Sequence, residues 1–197
     1  MTCWFAGCSN LIEFNYSGLD LSNLKNMSLT FCGCTNLTSS PVCGNNVTDM
    51  SGMYAFCSNL TGSPICGPNV TNMGGAMSLM GLPIFGTYGE CTNLTGSPVC
   101  GPNVTDMAGT YVGCINLTGN PVCGNKVTNM FGTYYSCNNL TGSPVCGNNV
   151  INMSSAYHSC TNLTGSPVCG PNVTDMCHAY VGCTNLTGSP VCGNNVV

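Results

Sequence analysis

Apolar residues along this chain mostly come singly between polar ones, and the same short arrangement keeps returning. In Asn93-Leu94-Thr95 and Asn103-Val104-Thr105 an apolar residue stands between polar neighbours. That is the pattern of a short extended piece with one side chain turned inward. Between them, Gly96-Ser97-Pro98 and Gly101-Pro102 supply residues that turn a chain at corners. Met107, Tyr111 and Cys114 then stand at i, i+4 and i+7, the spacing of one helical face, with Thr105 or Asp106 placed to cap it. The spacing recurs at Met50, Tyr54, Cys57 and at Met130, Tyr134, Cys137. It predicts a short helix or 3-10 turn, too brief to persist without neighbours and weakened by the glycine inside it.

The whole arrangement has a period of 23 residues. First cysteines fall at Cys34, Cys57, Cys91, Cys114, Cys137, Cys160 and Cys183, 23 apart except for one interval of 34. That interval places an 11-residue insertion within 74–90, and residues 34–197 otherwise read as regular repeats. Residues 1–33 form a divergent first repeat, because Cys8 and Cys34 are 26 apart and both open a Cys-(Ser/Thr)-Asn-Leu sequence. Each repeat offers few inward residues, such as Leu94, Val99, Val104, Met107 and Tyr111, so the repeats must stack and share one core. The expected fold is a repeat solenoid with short β-strands and a short helix or 3-10 turn per repeat. About eight turns at ~4.8 Å would make a rod roughly 40 Å long.

Asn46-Val47-Thr48-Asp49-Met50-Ser51-Gly52-Met53-Tyr54 with Cys57-Ser58-Asn59-Leu60-Thr61 resembles the BspA-like leucine-rich-repeat surface proteins. Their pattern is N-V-T-x-M-S-x-M-F-x-x-C-x-x-L-T, and the likeness runs through nearly the whole chain. It implies an LRR-like right-handed coil with a strand and a short helix per turn, displayed on a cell surface for adhesion or binding. The chain departs from the family in two ways. The family's Leu-Asp-Leu-Ser strand survives only as Leu19-Asp20-Leu21-Ser22, later repeats having Pro-Val-Cys-Gly, and the unit is shorter and richer in cysteine.

Eighteen cysteines in 197 residues point to a disulfide scaffold and an oxidising compartment. Pairs nine apart recur as Cys34/Cys43, Cys57/Cys66, Cys91/Cys100, Cys114/Cys123, Cys137/Cys146, Cys160/Cys169 and Cys183/Cys192. Linking each second cysteine to the next unit's first is the alternative, but that spacing jumps from 14 to 25 at the insertion. Within-unit bridges are therefore favoured; they leave over Cys3, Cys8, Cys32 and Cys177, and each would add ~2–3 kcal/mol. With no CxxC pair and two histidines, no metal site is expected.

The charged residues are Lys25, Lys126, Glu13, Asp20, Asp49, Glu90, Asp106 and Asp175, with no arginine. Nucleic acid is excluded as a partner, because phosphate contacts need clustered Lys and Arg. No apolar run approaches the ~20 residues that span a bilayer. The N-terminus lacks the basic flank and apolar stretch of a signal peptide, so an address for export would lie outside this sequence. Asn-X-Ser/Thr occurs at Asn36, Asn46, Asn59, Asn69, Asn93, Asn103, Asn116, Asn139, Asn162, Asn172 and Asn185, and also at Asn15, Asn26 and Asn152. These are candidates for N-linked glycans, which would solubilise a surface so poor in charge. Ladders of stacked asparagine amides are the alternative, and glycans on every turn would be crowded at ~4.8 Å.

No catalytic constellation is visible. His158 and His178 stand at different phases of the repeat, and Asp49, Asp106 and Asp175 share one phase suited to helix N-termini. A non-enzymatic structural or adhesive protein is expected, extracellular or on a cell or virion surface, without cofactors other than possible N-linked glycans. Met1 shares the phase of Met50, Met107 and Met176 and neither end carries a polar capping unit. Solenoids need such caps, which suggests a longer array or end-to-end self-association into a filament. The alternatives are a monomeric module recognising a host glycan or protein, and an ice-binding protein using outward columns such as Asn93 and Thr95.

Overall fold

The computed structural model describes residues 2–41, 43–75 and 85–196. Successive units lie side by side, parallel and in phase. Asn26, Asp49, Asn72, Asp106, Asn129, Asn152 and Asp175 form one column in which each residue makes a parallel β-bridge to the next. The column also caps turns: Asp49 Oδ1 accepts the Ser51 amide at 2.9 Å, and Asp106 Oδ1 accepts the Ala108 amide at 2.8 Å. Asn72 bridges directly to Asp106, so the column crosses the long interval in register. Most of the insertion lies at 76–84, outside the described residues.

Each unit contributes a leucine, a valine, a methionine and an aromatic ring to one continuous core. Leu94, Val104, Met107 and Tyr111 are completely buried, and so are their counterparts Leu117, Val127, Met130 and Tyr134. The rings of Phe5, Phe31, Tyr54, Tyr88, Tyr111, Tyr134, Tyr157 and Tyr180 stack one per unit, with centroids 5.3–5.8 Å apart and planes within 20°. A buried phenol needs a partner for its hydroxyl. Tyr111 Oη accepts the Val99 amide at 3.0 Å and donates to the Val99 carbonyl at 2.8 Å. Tyr134 holds Val122 in the same way. Val99 itself is only partly buried; Pro98 is the buried side chain of that corner, which corrects the inward role expected for the valine.

The short helix expected from the Met, Tyr and Cys spacing does not form among the described residues. The amides of Met107, Gly109, Tyr111 and Gly113 donate forward to the carbonyls of Asn129, Phe131, Thr133 and Tyr135 at 2.8–3.0 Å. Those of Thr110, Val112 and Cys114 donate back within the unit, to Met107, Gly109 and Tyr111. Alternate amides thus serve different units. The reason is local: φ is +62° at Gly109 and +69° at Gly113, and two left-handed residues four apart interrupt any right-handed helix. Met, Tyr and Cys still reach the core, because a ladder of turns with this pitch puts the same positions inward.

Candidate functional site

Each Asn-Val-Thr segment turns its valine inward and leaves its polar residues on one face. There the threonine column runs through Thr48, Thr71, Thr105, Thr128, Ile151 and Thr174, bonded from unit to unit. The Thr105 carbonyl accepts the Thr128 amide at 2.9 Å, the Thr128 hydroxyl at 3.2 Å and the Asn129 amide at 3.4 Å. The Thr71 carbonyl accepts the same three groups of Thr105 and Asp106. Beside it runs a column of amides, each tied back to the preceding unit. Nδ2 of Asn69 donates to Asn45 O at 2.9 Å, that of Asn103 to Pro68 O at 3.1 Å, and that of Asn172 to Asn148 O at 2.9 Å.

These bonds take up the threonine hydroxyl hydrogens and one of the two N–H groups of each amide, and leave acceptors. A hydroxyl that has donated its hydrogen keeps its lone pairs, and an amide nitrogen bound to the stack leaves Oδ1 for solvent. Two open grooves lie on this face. One, of about 680 Å³, is lined by Lys25, Asn46, Thr48, Asn69, Thr71, Asn103, Thr105 and Lys126, among others. The other, of about 730 Å³, continues along Thr105, Lys126, Thr128, Asn149, Ile151, Asn172, Thr174 and Asn195. Thr105 and Lys126 belong to both, so the two form one strip. Both lysines of the chain stand on it, and Lys126 Nζ donates to Asn103 Oδ1 at 2.7 Å.

The Asn-Leu-Thr column makes a second polar row. Asn59 Nδ2 lies 3.2 Å from Asn36 Oδ1, Asn139 Nδ2 3.5 Å from Asn116 Oδ1, and Asn162 Nδ2 3.5 Å from Asn139 Oδ1. The asparagines expected as glycan acceptors are exposed except Asn26, Asn103 and Asn152, which are half-buried. Asn46, Asn69, Asn103 and Asn172 line the grooves, whereas Asn36, Asn59, Asn93, Asn116, Asn139, Asn162 and Asn185 belong to the second row.

Every cysteine is a free thiol. The two members of each pair nine residues apart, from Cys34/Cys43 to Cys183/Cys192, join different columns. First cysteines face the core and bond to the aromatic residue of an earlier unit, Cys114 Sγ to Tyr88 O at 3.0 Å and Cys137 Sγ to Tyr111 O at 2.9 Å. Second cysteines stand at the Pro-Val-Cys-Gly corner. Sγ of Cys66, Cys100, Cys123 and Cys146 rests 3.5–3.7 Å from the following glycine's carbonyl. Burial pushes the thiols of Cys66, Cys100 and Cys146 up to about 11. The glycine is required by the next thiol: a Cβ at Gly101 would lie 2.7 Å from Cys66 Sγ, and one at Gly124 2.7 Å from Cys100 Sγ.

The histidines are engaged locally. His158 stacks on Tyr135 at 4.5 Å and its Nδ1 meets Ser159 Oγ at 2.9 Å, while His178 Nδ1 lies 3.3 Å from Cys177 Sγ. Among the described residues, no three His, Cys, Asp or Glu side chains gather as metal ligands. Glu90 is isolated, and burial raises its carboxyl above the usual range.

A family model of the Kazal-type serine protease inhibitor domain matches residues 30–49. The matched stretch is shorter than one 23-residue unit and holds Cys32, Cys34 and Cys43. It is tied to units on both sides, the Phe31 amide to Met53 O at 2.9 Å and the Thr48 amide to Lys25 O at 2.8 Å. No curated protein and no solved structure matches the chain. The match and the cysteine content are consistent with an extracellular protein, and among the described residues no helix is long and apolar enough to cross a membrane.

Proposed function

We propose that this chain is an extracellular adhesive scaffold, a solenoid of stacked 23-residue units whose Asn-Val-Thr strip binds carbohydrate. The observation that carries this reading is the chemistry of the strip: its threonine hydroxyls and one N–H of each bonded amide are held inside the stack, so it faces outward rich in amide oxygens and hydroxyl lone pairs, flanked by both lysines of the chain. Sugar hydroxyls are donors in a regular row and complement such a surface. The lysines favour a glycan bearing carboxylates. The BspA-like resemblance points to surface display.

An array of neutral and acidic polysaccharides tests this. Binding to acidic glycans that weakens with salt and falls at least severalfold in Lys126→Ala supports the reading. An array without hits overturns it. Glycans on Asn46, Asn69, Asn103 and Asn172 would cover the strip, so the reading also requires that peptide mapping find sugar only on the Asn-Leu-Thr row.

A second reading is favoured by the match at 30–49, namely inhibition of a serine protease by this one unit. Titration against trypsin-, chymotrypsin- and elastase-type proteases separates the two. The adhesive reading expects no inhibition at micromolar protein.

A further inference from the structure

One side-chain cluster is not absorbed by that function. Cys169 Sγ lies 3.3 Å from Cys192 Sγ, and the Met176 sulfur is 3.6 Å from each of them. The three sulfurs form a nearly equilateral triangle, built by the repeat itself. Cys192 is Cys169 one period on, and Met176 follows Cys169 by seven residues. The backbone fixes the two cysteines side by side, because Val168 bridges to Val191 and the Cys169 amide donates to Val191 O at 2.9 Å. At Cys66, Cys100, Cys123 and Cys146 the thiol rests on a glycine carbonyl. Cys169 instead turns to the two sulfurs. Cys169 is buried, Met176 half-buried and Cys192 exposed, so the triangle is walled on one side and open on the other.

We infer that Cys169, Met176 and Cys192 form a binding site for a soft monovalent cation, Cu(I) being the natural occupant. Two thiolates and a thioether, with no nitrogen or oxygen ligand, suit Cu(I). Structural zinc sites need four Cys, His or carboxylate ligands, and here only two such groups meet. Binding forms three copper–sulfur bonds and releases the two thiol protons to solvent. Copper enters and remains as Cu(I), so no electron is transferred. Because binding displaces thiol protons, affinity rises with pH.

The test uses the reduced full chain under anaerobic conditions. Cu(I) is supplied as its acetonitrile complex against a chromophoric chelator, followed by brief alkylation with iodoacetamide and peptide mass spectrometry of every cysteine. At one equivalent, the exposed Cys192 is expected to be shielded while the equally exposed Cys3, Cys8 and Cys177 are alkylated, and Zn(II) at the same concentration does not shield it. Met176→Leu keeps the side-chain volume, so the far-ultraviolet spectrum is unchanged while Cu(I) affinity falls by about tenfold, the cost of losing one soft ligand. Cys192→Ser removes one thiolate, so Cu(I) at one equivalent is no longer held against the chelator. Shielding spread evenly over the exposed thiols, equal shielding by Zn(II), or unchanged affinity in the folded Met176→Leu protein would overturn the assignment.

Discussion

At the residue scale, several side chains do two jobs at once, and substitutions should reveal both. The Tyr134 hydroxyl satisfies both the amide and the carbonyl of Val122 from inside the core. Tyr134→Phe keeps the stacked ring and orphans two partly buried backbone groups, so a loss of about 1–3 kcal/mol is expected by chemical denaturation. Gly124 leaves room for the Cys100 thiol. Gly124→Ala should cost about 1–3 kcal/mol through overpacking, and Cys100→Ala in the same chain should restore part of it. The inward Leu, Val, Met and Tyr and the outward Asn and Thr are legible in the sequence, because polarity alone sorts them. The tyrosine clasp on the valine peptide is not, because a buried tyrosine twelve residues beyond a Pro-Val corner reads only as an apolar ring.

At the element scale, the Met-to-Cys segment shows where periodicity misleads. Spacing of i, i+4 and i+7 fits a helix, but it fits equally a run of turns whose alternate amides point to the next unit. Left-handed residues decide between them, and about half are glycines, which also occur as weak points in real helices. The decisive sign is that non-glycine residues take the same conformation, with φ of +64° at Phe56 and +61° at Ser136 and Ser159. Ser136 occupies the place of Gly113, so Ser136→Gly should relieve strain and raise stability by about 0.5–1 kcal/mol after the entropy cost of glycine. In a helix the same change would lower it by a similar amount, so the sign of the shift in denaturation midpoint distinguishes the two. The two cysteines of each unit separate for a related reason. Nine residues along the chain say little about distance across a unit once the Gly-Ser-Pro corner lies between them, and Cys91 and Cys100 end in different columns.

At the scale of the whole molecule, stacking places many neutral acids in a dry interior with almost no fixed charge to balance them. Burial raises the thiols of Cys57, Cys91, Cys114, Cys137 and Cys160 and the phenols of Tyr54, Tyr88, Tyr111, Tyr134 and Tyr157 above their ordinary values. Between the unfolded and folded values the unfolded chain binds fewer protons, so stability falls as pH rises. The melting temperature should drop steeply above about pH 8.5, where unfolded cysteine begins to ionise, and calorimetry across that range checks it. The same stacking underlies the proposed function, because it holds the threonine hydroxyl hydrogens and one N–H of each amide inside and leaves acceptors outside. Amide hydrogen exchange tests this most directly. Thr71, Thr105 and Thr128 are exposed residues, yet their amides donate to the preceding unit at 2.8–2.9 Å. They are predicted to exchange only through opening of the stack, at rates matching the buried amides of Tyr111 and Gly113. Exchange of these threonine amides at the rates of free loops would contradict the account.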